Sequence, residues 1–265
     1  FKRRCRIAYR KTLGELMMKK YISVFGLFGK MSFRKIILCF VLLSVLQLSF
    51  YCINLNSALS AAESIDSVPI LEETFTTSFY GISFLVCLCL VCKFLISSQN
   101  HSEKTAYAGQ RLQIDEKVFF YIQTVYNAFM LFFLFAVQTV LLFAMCKYYV
   151  FKAPSELVSE MSLFMAFYRD DFLHSVLPLD DTLAVFGNIS VIAGLSFACA
   201  AFSFKSRRGK FSSSVLIFLA VVCLTFTRSV GNISNDLTFH VIALIVIVKA
   251  LCTLYIGEEE NEEID

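Results

Sequence analysis

The chain has 265 residues, of which 57% are apolar and only 17% charged, with a formal net charge of +3 and a mean hydropathy of +0.68. Soluble domains run to about 45–50% apolar and about 25% charged, so this composition excludes an ordinary water-soluble enzyme and points to lipid as the solvent. Most residues fall in apolar stretches, which leaves no loop long enough for a separate catalytic domain.

The N-terminal segment, 1–35, carries Lys2, Arg3, Arg4, Arg6, Arg10, Lys11, Lys19, Lys20, Lys30, Arg34 and Lys35 against Glu15 alone. Tyr9, Leu13, Leu16, Met17, Ile22, Phe25 and Phe28 are interleaved with these cations. The pattern predicts an amphipathic helix on an anionic cytoplasmic leaflet, its cations reaching toward headgroups. A cleaved secretory signal is the rival reading, and the long basic leader argues against it.

Beyond this leader, six stretches are nearly free of charge: 36–55, 79–96, 118–144, 183–204, 212–226 and 237–256. A helix needs roughly 20 mainly apolar residues to cross a hydrocarbon core of about 30 Å. The predicted fold is therefore all-α, a polytopic membrane protein with about six transmembrane helices and an N-terminal amphipathic interfacial helix. The transmembrane domain is read as 36–256, followed by an acidic cytoplasmic tail at 257–265. Tyr51, Tyr80, Tyr148, Tyr149 and Tyr255 would supply the interfacial aromatic belt in a chain without tryptophan.

The connections sort by charge. Residues 56–78 hold Glu63, Asp66, Glu72 and Glu73 and no Lys or Arg, whereas the next loop has Lys93, Lys104, Arg111 and Lys117. The loop after the fourth stretch is the basic run Lys205, Arg207, Arg208 and Lys210. Cationic loops stay inside, so the expectation is a multi-pass protein of the cell membrane with both termini cytoplasmic. Asp115 and Glu116 precede the third stretch and suit a helix N-terminus. On the other face, Leu157, Met161, Phe164, Met165, Phe167, Phe172 and Leu173 recur at near-helical spacing, predicting an external interfacial helix over about 154–177.

Polar residues inside spans are costly and often functional. Gln123 and Asn127 lie four apart in the third stretch and Gln138 eleven further on, so the three share one face; Asn188 stands in the fourth stretch and Gln47 in the first. Two roles suit such a stripe, bracing hydrogen bonds between helices and the lining of a translocation path. Gly187, Gly194 and Ala198 would let helices approach closely. Cys89 and Cys92 have C-x2-C spacing without a second pair, so no metal is expected, and a Cys52–Cys146 disulfide is geometrically open. No phosphate loop, nucleophile elbow or zinc-protease motif occurs, so no catalytic residue and no cofactor is expected. The basic residues border apolar spans and read as topology determinants, which argues against nucleic acid as a partner.

The basic amphipathic leader, six spans with both ends inside and a cytoplasmic helix between the second and third spans resemble the permease subunit of ABC-2-type transporters. The stretch "GQRLQIDEKVFFYIQTVYNAFMLFFLFAVQTVLL" is similar to the third-span region of small permease-like membrane proteins from Gram-positive bacteria. The resemblance implies export of an amphiphilic or peptide-like substrate, energised by a separate cytoplasmic ATPase, through a cavity lined by a homo- or heterodimer of permease subunits. It implies that Glu103, Lys104 and Arg111 dock the ATPase, and that Gln123, Asn127, Gln138 and Asn188 line or brace the path. The outer helix departs from the family pattern, lying between the third and fourth spans instead of the fifth and sixth. A non-transporting scaffold, sensor or immunity-type protein is the main alternative. An intramembrane enzyme is the third, and it would need Asn188, His240 and a cysteine to converge.

Overall fold

The computed structural model describes residues 2–61, 68–100, 115–154, 158, 161–179, 181–210, 212–226 and 233–262; side chains are described from Lys20 onward, except at 98–100, 233–236 and 256–262. Among these residues all regular structure is helical: α1 (Lys2–Ala61), a 3-10 turn (Glu72–Phe75), α2 (Phe79–Asn100), α3 (Glu116–Lys152), α4 (Ser162–Arg169), α5 (Asp171–Val176), α6 (Thr182–Arg207), α7 (Ser214–Thr225) and α8 (Ile233–Glu262). Five of these helices, α1, α2, α3, α6 and α8, are long and apolar enough to cross a membrane. The chain is an all-α polytopic membrane protein. Helices suit lipid because each satisfies its own backbone hydrogen bonds.

Side-chain contacts fix the direction of each helix. Phe28 of α1 meets Phe119 of α3 with ring centroids 5.2 Å apart, and Gln138 of α3 donates to Gln47 of α1 at 2.9 Å, so these two helices run parallel. α2 returns against α1, with Phe79 stacked on Phe50 and Phe94 beneath Lys35. α6 runs against α3, joining Phe204 to Phe120 and Ser196 to Asn127. α8 is parallel to α6, pairing His240 with Ser190 and placing Tyr255 by Lys117 at the start of α3. α7 runs the opposite way to α6 and ends where Phe226 packs on Phe84 and Phe135. Among the described residues five long helices and the shorter α7 thus alternate in direction along the bundle, and α8 finishes at the same end as the basic part of α1.

That shared end is studded with cations lying on aromatic faces. Lys35 sits over Phe94, Lys117 over Tyr255, Arg207 over Phe119 and Arg208 over Phe204, at 5.9, 5.5, 4.6 and 4.3 Å from the ring centroids. Arg208 also pairs with Glu116. The chain turns there because Gly209, at φ 69°, closes α6 with bonds from Gly209 N to Ser206 O and from Lys210 N to Lys205 O; this left-handed cap is open to glycine without steric penalty.

Three features differ from the sequence-based expectation. First, α1 runs unbroken through the division expected near residue 35; at 1.5 Å per residue its 60 residues span about 90 Å. Val24, Phe28 and Ser32 are buried in the same stripe as Ile36, Phe40, Leu43, Gln47, Tyr51 and Leu55. The apolar spacing continues past Ile36 because Lys30, Arg34 and Lys35 fall on the exposed face. Second, the 212–226 stretch forms only the 12-residue α7, about 18 Å long. Third, Tyr51, Tyr80 and Tyr149 do not make an exposed belt. All three are 1% exposed: Tyr51 and Tyr80 form a buried aromatic cluster with Phe75 at the end opposite the cations, and Tyr149 donates to Pro69 O at 2.9 Å. Tyr255 alone of that set stays exposed.

Close packing of the second half rests on small residues, as their spacing suggested. A Cβ on Gly194 of α6 would lie 2.6 Å from the buried Phe218 ring of α7 and 3.4 Å from the Ala243 Cβ of α8. Glycine at this point is what lets three helices meet.

Candidate functional site

α3 is the axis of the polar interior. Asp115 starts it by accepting from Lys117 N at 3.2 Å, the role expected of a carboxylate at a helix N-terminus. Along its buried side stand Gln123, Asn127 and Gln138, each 0% exposed. The 15 residues from Gln123 to Gln138 correspond to about 22 Å of helix, so the stripe has two layers.

The layer farther from the cations is braced. Gln138 Nε2 donates to Gln47 Oε1 at 2.9 Å, and Gln47 Nε2 donates onward to Ser83 Oγ at 2.7 Å and to Tyr80 O at 3.2 Å. One amide chain thus joins α3, α1 and α2. The layer nearer the basic end is different. Asn127 Nδ2 donates to Ser196 O of α6 at 3.3 Å, but Asn127 Oδ1 and both amide atoms of Gln123 meet no partner among the described residues. Gln138 Oε1 is likewise unpaired. One turn away, facing α1, Tyr126 and Ser32 share a hydrogen bond of 2.7 Å.

Asn188 belongs elsewhere. Its Nδ2 donates to Ser175 O at 2.9 Å and to Val176 O at 3.3 Å, capping the carbonyl end of α5 from α6. The other end of α5 is capped by Asp170, whose Oδ1 accepts from Phe172 N at 3.0 Å and Leu173 N at 2.9 Å. Short helices leave orphan groups at both ends, and here each end is met by a side chain. The external helix expected over 154–177 is therefore broken at Asp170 into α4 and α5. Phe167 of α4 packs on Phe143 of α3, and Phe172 to Val176 of α5 are all buried. Met161, Phe164, Met165 and Tyr168 keep an exposed apolar face on and beside α4. Arg169 and Glu72, 3.4 Å apart, tie this cap to the 3-10 turn. Burial, offset in part by the two backbone donors, pushes the Asp170 carboxyl above its ordinary value, and Asp171 and Glu72 push the same way.

Glu103, Lys104 and Arg111, the expected docking residues, lie outside the described residues. Asn188 and His240 hydrogen-bond to different partners. Asn188 is held by α5, and His240 Nδ1 lies 2.7 Å from Ser190 Oγ, which also donates to Phe186 O. Cys52 and Cys146 are both free thiols, and among the described residues no three His, Cys, Asp or Glu side chains gather to hold a metal. Lys249 is exposed on α8. Sequence reasoning passed over Asp170 and the Ser32–Tyr126 pair. A carboxylate at the N-terminal edge of the segment DFLHSV is a capping signal that could have found the first; the second needs the helix pairing.

No family model, no curated protein and no solved structure matches the chain.

Proposed function

We propose that the chain is the membrane-embedded subunit of an ATP-driven exporter of the ABC-2-like class. In this reading a separate cytoplasmic ATPase docks at the basic end, through Glu103, Lys104 and Arg111 in the connection between α2 and α3. A second permease subunit, identical or related, completes a path for an amphiphilic or peptide-like substrate across the cell membrane. The observation that carries the reading is the set of amide atoms at Gln123 and Asn127 that meet no partner among the described residues, buried on a helix long and apolar enough to cross a membrane. An unsatisfied buried polar group costs about 1–3 kcal/mol, and such groups in membrane helices mark polar pathways. Support also comes from the cation-rich end shared by α1, α3, α6 and α8, since cationic flanks stay on the cytoplasmic side.

The test is purification of the native complex in mild detergent with identification of what accompanies it. An ATPase is expected, and charge reversal at Glu103, Lys104 and Arg111 together is expected to release it. Retention of the ATPase by the triple variant removes the docking assignment. A native complex with no ATPase removes the exporter reading and leaves the scaffold, sensor or immunity-type alternative. That alternative has one observation in its favour: the Gln138–Gln47–Ser83 chain locks three helices in a single arrangement.

A further inference from the structure

α2 carries Cys87, Cys89 and Cys92, and each addresses a cysteine on a different helix. Cys87 Sγ lies 4.0 Å from Cys39 O of α1. Cys92, fully buried, lies beside the buried Cys199 of α6. Cys89 Sγ lies 3.8 Å from Cys223 Sγ of α7, and both members of this pair are only half buried. The C-x2-C spacing, which reads as an incomplete zinc motif, instead sends two thiols on adjacent turns to two different neighbours.

We infer that Cys89 and Cys223 are an oxidative modification site, forming a reversible disulfide across the seam between α2 and α7. A disulfide bond is about 2.05 Å long, so the sulfurs need to approach by about 1.7 Å from their present separation of 3.8 Å. Half-exposed side chains on an apolar bundle are open to an oxidant dissolved in lipid. The product is neutral, whereas a thiolate or a metal thiolate would carry charge into a low-dielectric medium at high cost. In the reaction two S–H bonds break and one S–S bond forms; the two electrons and two protons reduce a membrane-soluble quinone to its hydroquinone. A dithiol reductant reverses the step by returning two hydrogens. The consequence is mechanical: α7, short and held by packing on α6 and α8 and, at its end, by Phe226 on Phe84 of α2 and Phe135 of α3, becomes covalently tied to α2. Cys92 and Cys199 stay reduced because burial seals them from the oxidant. The inference is independent of the transport reading.

The experiment uses the full chain in lipid nanodiscs, exposed to a short-chain quinone, then unfolded, alkylated and mapped by peptide mass spectrometry. The expected result is a Cys89–Cys223 linked peptide, reversed by dithiothreitol and abolished by either Cys89→Ser or Cys223→Ser, with Cys92 and Cys199 alkylated. Two results would overturn it. One is full alkylation of Cys89 and Cys223 under conditions that oxidise the exposed Cys252. The other is a Cys92–Cys199 link forming as readily as the Cys89–Cys223 link, which would mean that helix breathing and not side-chain placement controls the chemistry.

Discussion

Two polar regions of this bundle solve the same problem in opposite ways. At the capped end, Asn188 and Asp170 satisfy the free backbone groups of α5, and Gln47 gathers Gln138, Ser83 and Tyr80 O into one chain. Toward the basic end, among the described residues, Gln123 pairs neither amide atom and Asn127 only one. The first region uses polarity to hold helices in place. Among the described residues the second leaves three amide atoms unpaired against one, Gln138 Oε1, in the first, and the proposed pathway rests on that difference.

The largest effect is expected where a brace satisfies two buried carbonyls. Asn188→Leu leaves Ser175 O and Val176 O without their donor and is expected to lower stability by about 2–3 kcal/mol, read as thermal unfolding in detergent, with new protease sensitivity around α5. Unchanged unfolding would mean that the cap carries no load and that the contrast between the two regions is false at its stronger side.

Gln47→Leu comes next, at about 1–2 kcal/mol, because it strands Gln138 Nε2 inside the bundle. The double variant Gln47→Leu, Gln138→Leu removes both ends of the bond and is expected to recover part of the loss, giving a coupling energy near 0.6–1.7 kcal/mol. Additive losses would show that the two amides do not interact. Gln123→Met should move the other way. With no partner to lose among the described residues, it is expected to raise stability by about 1 kcal/mol and, on the exporter reading proposed above, to abolish export, a combination that a purely structural residue cannot produce. Lower stability with export intact would make Gln123 a brace like Gln47.

How much of this could be read from the chain depends on which residues are asked. The spans were legible because lipid imposes length and apolarity directly, and the charge sorting between 56–78 and 205–210 matches the two ends of the bundle. The stripe at Gln123, Asn127 and Gln138 was legible as a face of α3, but its division into paired and unpaired layers depends on Gln47 and Ser196, which come from other helices. The inner limit of α1 was hidden because Val24, Phe28 and Ser32 alternate with cations that point outward. The tyrosines were misplaced for a related reason: Tyr51, Tyr80 and Tyr149 sit at span ends, and only packing against Phe75 and Pro69 shows that they face inward. The cysteine pairs needed three helix contacts that no spacing rule contains.

The smallest effect tests the capped end by titration. Asp170 is 8% exposed, and burial, the largest influence on it, raises its pKa above the ordinary 3.8 despite the donors at Phe172 N and Leu173 N. A carboxyl whose folded pKa is raised favours the folded form when protonated. Its contribution is complete below 3.8 and is lost as pH rises through the folded pKa. Hydrogen-exchange protection of the Phe172 and Leu173 amides, corrected for intrinsic rates, is therefore expected to fall modestly as pH rises from about 3.5, since the charged form is the one that burial disfavours. Asp170→Asn keeps an acceptor at the cap and cannot ionise, so its protection is expected to stay flat across the same range. Protection that climbs with pH in the native chain would mean that the two backbone donors outweigh burial. The cap would then be an ordinary charged N-cap, and ionised Asp170 would order the capped end together with Asn188 and the packing of Phe172 on Phe84.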